Sequence, residues 1–71
     1  MKKYLNYGCD SSVQYYDIAS DSITVYFSDG SSYTYSYAST GMYHVERMKE
    51  LAEVGEGLNH YIMKNCKYDY E

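Results

Sequence analysis

The chain has no proline and no tryptophan, a single phenylalanine and only two cysteines among its 71 residues. Each scarcity excludes something. Without proline there is no polyproline segment and no proline guard on a strand edge. Cys9 and Cys66 form no Cys-x-x-Cys pair, and His44 and His60 are too scattered for a zinc motif. No metal site and no cofactor is expected. No apolar run approaches the ~20 residues of a membrane span. Met1-Lys2-Lys3 is basic, but Tyr4-Leu5-Asn6-Tyr7-Gly8-Cys9-Asp10 offers no apolar signal core. The expectation is therefore a cytoplasmic chain with no membrane partner. Its cysteines read as reduced thiols, not as a disulfide closing nearly the whole chain.

Positive charge is also scarce. Ten acids against six bases leave a formal net charge of −4. That balance opposes nonspecific attraction to phosphate and argues against a nucleic-acid module. The bases are Lys2, Lys3, Arg47, Lys49, Lys64 and Lys67. Four of them lie toward the two ends of the chain.

Tyrosine is abundant, with 12 copies. A domain this small has a thin core and buries only about 60% of its unfolded surface. A tyrosine ring adds ~150–250 Å² of apolar area while its hydroxyl sits at the wet edge. Core filling is the plainer explanation for the excess, and an aromatic binding platform is the sharper one.

The pattern along the chain is that of one α+β domain over residues 1–71. Residues 1–11 form a polar lead-in, frayed in part. Residues 12–37 read as a three-stranded antiparallel meander. Its strands are Ser12 to Ile18, Ile23 to Phe27 and Ser32 to Tyr37. Residues 40–66 read as a helical pair packed on one face, and 67–71 as a polar tail, giving the order β-β-β-α-α. Parity in the first strand is ambiguous. Val13 and Tyr15 mark one face and Tyr16 and Ile18 the other, unless a bulge near Tyr15-Tyr16 admits both.

The hairpin register follows from alternation. A two-residue Asp29-Gly30 loop would set Tyr26 against Tyr33 and Val25 against Thr34, leaving every apolar residue without an apolar partner on its face. A three-residue loop, Ser28-Asp29-Gly30, sets Ile23 against Tyr35 and Val25 against Tyr33. The apolar pattern selects the second, with Gly30 at the left-handed bulge position. The first helix is expected to be capped by Ser39 or Thr40. It should turn Met42, Val45, Met48, Leu51 and Ala52 inward and Glu46, Arg47, Lys49, Glu50 and Glu53 outward, with Lys49 and Glu53 a weak solvated pair. Gly55 should end it. The second helix, Leu58 to about Cys66, should turn Leu58, Ile62 and Tyr61 inward.

Several stretches carry a family likeness. They are Ser11-Ser12-x-x-x-Tyr16-Asp17 and Val25-x-Phe27-x-Asp29-Gly30-x-x-Tyr33-x-Tyr35. Further on come Gly41-x-x-His44-Val45-Glu46-x-Met48-Lys49-x-Leu51-Ala52 and Gly55-x-Gly57-Leu58-Asn59-x-Tyr61-Ile62. Over roughly residues 11 to 70 the chain resembles the KTSC domain. That family is named after a module at the C-terminus of some lysyl-tRNA synthetases and also occurs as short bacterial and phage proteins. The resemblance implies a fold and brings no recognised catalytic residues. It suggests RNA by association, from which this acidic chain departs.

No enzyme chemistry is expected. Cys66 falls near a helix C-terminus, the wrong end of the dipole for a thiolate. The polar residues of most interest are Tyr33, Tyr35, His44, Asn59 and Tyr61. Asn59 can tie the turn between helices, and Asn59 or His44 can partner the tyrosine hydroxyls. The same cluster can line a small groove. Two functions are weighed. One is a protein-interaction module, which includes self-association through a strand edge. The other is an RNA or single-stranded nucleic-acid module stacking bases on tyrosine, helped by Lys2, Lys3, Lys64 and Lys67. Charge favours the first.

Overall fold

A computed structural model describes residues 1–7 and 12–71. Four antiparallel strands form one sheet in the order β1-β2-β3-β4. They are β1 Lys2–Lys3, β2 Val13–Ala19, β3 Ser22–Phe27 and β4 Ser32–Ser36. Helices follow: α1 Tyr37–Thr40, α2 Met42–Val54 and α3 Leu58–Tyr61, which continues as a π-helical stretch, Ile62–Cys66. The α+β order agrees with the sequence, with an added strand, β1, and an added short helix, α1. The lead-in is not frayed at its start. Lys2 and Lys3 pair with Tyr16 and Tyr15, and Tyr4 behind them is buried.

The hairpin has the three-residue loop. Ile23 pairs with Tyr35 and Val25 with Tyr33, and Tyr26 pairs with Ser32 rather than Tyr33. The Phe27 amide donates to the Ser31 carbonyl at 2.8 Å, and Gly30 sits at φ +91°. The Asp29 carboxylate locks the loop by accepting from the Ser31 amide and hydroxyl. These bonds hold its pKa below the usual value. A Cβ on Gly30 would meet open space, so the cost of substitution is backbone strain alone. Gly30→Val is expected to lower stability by about 1–2 kcal/mol, read as a drop in the urea midpoint. An unchanged midpoint would contradict the loop geometry.

Strand parity is resolved by a bulge between Val13 and Tyr15, one position earlier than the sequence marked. The extra residue lets Val13 and Tyr16 both face the core, while Tyr15 and Ile18 are exposed. One core joins Val13, Tyr16, Ile23, Val25 and Tyr35 of the sheet to Val45, Met48, Ala52, Leu58, Ile62 and Cys66. Phe27, Tyr33, Leu51 and Tyr61 pack on its rim.

Four local expectations are corrected. Tyr37 begins α1 and does not end β4. Neither Ser39 nor Thr40 caps the long helix: α2 starts after Gly41 with no side-chain cap, and the reciprocal box, in which the Ser36 hydroxyl accepts from the Ser39 amide and the Ser39 hydroxyl from the Ser36 amide, caps the short α1. Met42 is 61% exposed, because α2 starts at this residue and its first turn precedes the inward stripe. Lys49 does not reach Glu53. It folds back to Glu46 at 2.8 Å and donates to the Ser20 carbonyl, tying α2 to the β2–β3 turn.

Gly55 terminates α2 in the left-handed conformation, its amide bonded to the Leu51 carbonyl. The lead-in closes over this point. The Tyr7 amide donates to the Gly55 carbonyl at 2.7 Å, and a Cβ on Gly55 would fall 2.8 Å from the Leu5 Cβ.

Candidate functional site

Of the five polar residues of the sequence reading, four form two separate pairs, and Asn59 joins neither. Tyr33 and Tyr35 lie on the inner face of β4, at the edge of the sheet. His44 and Tyr61 meet on the helical side, with His44 Nδ1 2.7 Å from the Tyr61 hydroxyl. No hydrogen bond or ring contact among the described residues joins the two groups. Histidine therefore partners Tyr61 and not the hairpin tyrosines. Asn59 does not cap α3. Its carboxamide oxygen is shielded from solvent, and no described protein group donates to it. The Leu58 amide at the start of α3 instead donates to the Tyr4 hydroxyl at 3.2 Å.

The hairpin group gains a member that the sequence placed in the polar tail. Tyr70 folds back onto β4, its ring centroid 4.5 Å from Tyr33 and 6.3 Å from Tyr35. Phe27 meets Tyr33 edge-on at 5.8 Å. Two shallow clefts open beside these rings. One, of about 190 Å³, is lined by Phe27, Tyr33, Tyr35, Met63, Lys67 and the tail tyrosines. The other, of about 250 Å³, shares Phe27, Tyr33 and Met63 and extends to the β3–β4 loop at Asp29 and Ser31.

Backbone polarity leaves part of this edge facing outward. Phe27 and Ser31 form a bonded pair of the ladder. Bonded and non-bonded pairs alternate in an antiparallel ladder, so Tyr33 and Tyr35 bond inward to β3. Ser32 and Thr34 aim their amides and carbonyls outward, away from the sheet. The tail uses this edge. The Glu71 amide donates to the Thr34 carbonyl at 2.8 Å, and the Thr40 hydroxyl donates to the Asp69 carbonyl. These bonds hold Glu71 beside Thr34 of β4 and Asp69 beside Thr40 of α1.

Electrostatics on this side keep protons on. Burial first, then the neighbouring Cys66, Tyr33, Tyr70 and Asp69, push the Tyr35 phenol up to about 12. Burial, then Asp69, raises the Cys66 thiol, the opposite of thiolate activation. A phenol with a folded pKa above its unfolded pKa near 10 contributes stability that is full below pH 10 and lost as pH rises toward 12. The melting temperature is expected to fall across that window, and less steeply in Tyr35→Phe. Parallel slopes would show that Tyr35 is not the group responsible.

Lys2 and Lys3 stand apart from Lys67. Lys2 and Lys3 sit on β1 and Lys67 lines the cleft at β4, the opposite edge of the sheet. Three strand spacings of ~4.8 Å separate those edges. Among the described residues, no three acidic, histidine or cysteine side chains converge for a metal, and no helix is long and apolar enough to cross a membrane. Cys9, and with it any pairing to Cys66, lies outside the described residues, as does Ser11. Set against known proteins, the chain matches no family model, no curated protein and no solved structure.

Proposed function

We propose that this chain is a non-enzymatic protein-interaction module that recruits extended segments at the outer edge of β4. One observation carries the reading. The chain's own tail lies along that edge, with a main-chain bond to Thr34 and an aromatic side chain on Tyr33 and Tyr35. Strand addition works through this combination: backbone bonds give affinity and side-chain clefts give selectivity. The edge has no proline, bulge or inward charge to discourage pairing. The likeness to the KTSC family fits a small module of this kind, and a cytoplasmic setting belongs to the same reading.

The nucleic-acid alternative has weaker support. Stacking on tyrosine needs cations nearby to neutralise phosphate, and Lys2 and Lys3 lie at the opposite edge from Lys67. A titration with mixed tRNA and single-stranded oligonucleotides in ~0.15 M salt is expected to stay flat. Affinity capture from the native cell should yield a protein partner that survives nuclease, is lost with Tyr33→Ser and is kept with Tyr15→Ala on the opposite face. Saturable binding that weakens steeply with salt, or capture abolished by nuclease, would replace this reading with the nucleic-acid one.

A further inference from the structure

We infer that two copies of this chain dock through α2, antiparallel, along the row Tyr43, Arg47, Glu50 and Val54. The inference concerns a different surface from the β4 edge and does not rest on it. α2 buries Val45, Met48 and Ala52 in the core. At 3.6 residues per turn, the four residues of the row fall on the opposite side of the helix. A helix side that meets only solvent is ordinarily polar from end to end. Here the middle is polar and the two ends are not: Tyr43 is 76% exposed and Val54 57% exposed.

Spacing and order both suit a second copy. Steps of four, three and four residues are those of a coiled-coil seam. The order along the row is apolar, cationic, anionic, apolar. Turned about a two-fold axis between Arg47 and Glu50, the row complements itself, as a two-fold contact requires. Tyr43 of each copy meets Val54 of the other, and Arg47 of each meets Glu50 of the other. A parallel, in-register pairing would set Arg47 on Arg47 and Glu50 on Glu50, so charge selects the antiparallel sense. Within one chain Arg47 and Glu50 are exposed and only 3.8 Å apart at their nearest atoms, a loose pair that leaves both groups able to bond across the axis. A shallow cleft of about 500 Å³ runs along Met42, Tyr43, Glu46, Arg47 and Glu50 and gives Val54 of the second copy room beside Tyr43. One flank opposes the contact, because the axis brings Glu53 of one copy toward Glu46 of the other. Lys49 partly neutralises Glu46, at 2.8 Å. One 13-residue helix from each copy makes an interface at the small end of the specific range, below about 1,200 Å². The dimer is therefore weak and forms as concentration rises. Its seam lies on the side of α2 away from the sheet, so both β4 edges stay outside the contact.

The test is sedimentation equilibrium of the full chain from micromolar to millimolar concentration, where the unmodified protein should pass from monomer to dimer. Arg47→Glu sets two carboxylates against each other across the axis, and Glu50→Arg sets two guanidinium groups. Each variant alone should raise the dissociation constant at least tenfold. Mixed in equal amounts, the two should form a heterodimer at least as tight as the parent dimer, because every pair across the axis is then Arg with Glu. Inside each variant chain positions 47 and 50 stay like-charged, so a local effect on α2 cannot produce this rescue. Glu53→Lys, which places a cation opposite Glu46, should tighten the dimer at least twofold, and it decides the question if circular dichroism shows either charge reversal to be misfolded. A chain that stays monomeric throughout, a dimer indifferent to the charge reversals, folded variants whose mixture gives no rescue, or a Glu53→Lys dimer no tighter than the parent would overturn the inference. Dimerisation abolished by Tyr33→Ser but not by Arg47→Glu would move self-association to the β4 edge and overturn it equally.

Discussion

Ile62→Ala is expected to leave much of the protein unfolded at ambient temperature. Ile62 is fully buried in the π-helical stretch, in the same core as Val45, Met48 and Leu58. Removing three carbons from such a site costs roughly 2–5 kcal/mol, the lost transfer energy plus the cavity left behind. A single core of this size supplies about 3–5 kcal/mol in all. The deletion therefore approaches the whole stability of the domain. Urea melts monitored by circular dichroism read the effect directly. A midpoint equal to the parent's would mean that the inward face of the last helix is wrongly placed.

Tyr4→Ala is expected to be at least as damaging, about 3–5 kcal/mol by analogy with other buried aromatic truncations. Its ring is 2% exposed and its hydroxyl accepts from the Leu58 amide. Tyr4→Phe separates the two contributions. It keeps the ring and leaves a buried amide unpaired at the start of α3, a cost of about 1–3 kcal/mol. If Tyr4→Ala melted like the parent, the lead-in would be an ornament and the four-stranded sheet would shrink to three.

These two residues differ in how far the sequence disclosed them. Ile62 stands four residues after Leu58, so helical spacing alone turned both inward. The hairpin was legible for a similar reason: only one loop length gives Ile23, Val25, Tyr33 and Tyr35 a shared face. Tyr4 was not legible, since its partner is the amide of a residue 54 positions away. No local pattern encodes that pairing. The bulge at Gln14 was legible as an ambiguity and not as a position, because two strand parities were both partly satisfied. The candidate site was half legible. Tyr33 and Tyr35 were chosen from alternation, but the grouping with His44 and Asn59 was an assumption about proximity that helix placement did not meet. Tyr70 was missed, because a polar flanking sequence, Asp69 and Glu71, hid an aromatic that packs on a sheet edge. A tyrosine one residue before a potential edge-pairing position was the available signal.

The closure of the lead-in over α3 also bears on how the chain folds. Bringing Tyr4 to Leu58 closes a loop of 54 positions, at an entropic cost of about 3.5 kcal/mol from the logarithmic length dependence alone. The hairpin and α2 are local and can assemble first. Tyr4 should therefore join after the rate-limiting barrier, so its substitutions should speed unfolding and hardly slow folding. In the native state the same order runs backward. Release of the lead-in is the least costly opening, and the Leu58 amide should exchange with solvent ahead of those in the middle of α2.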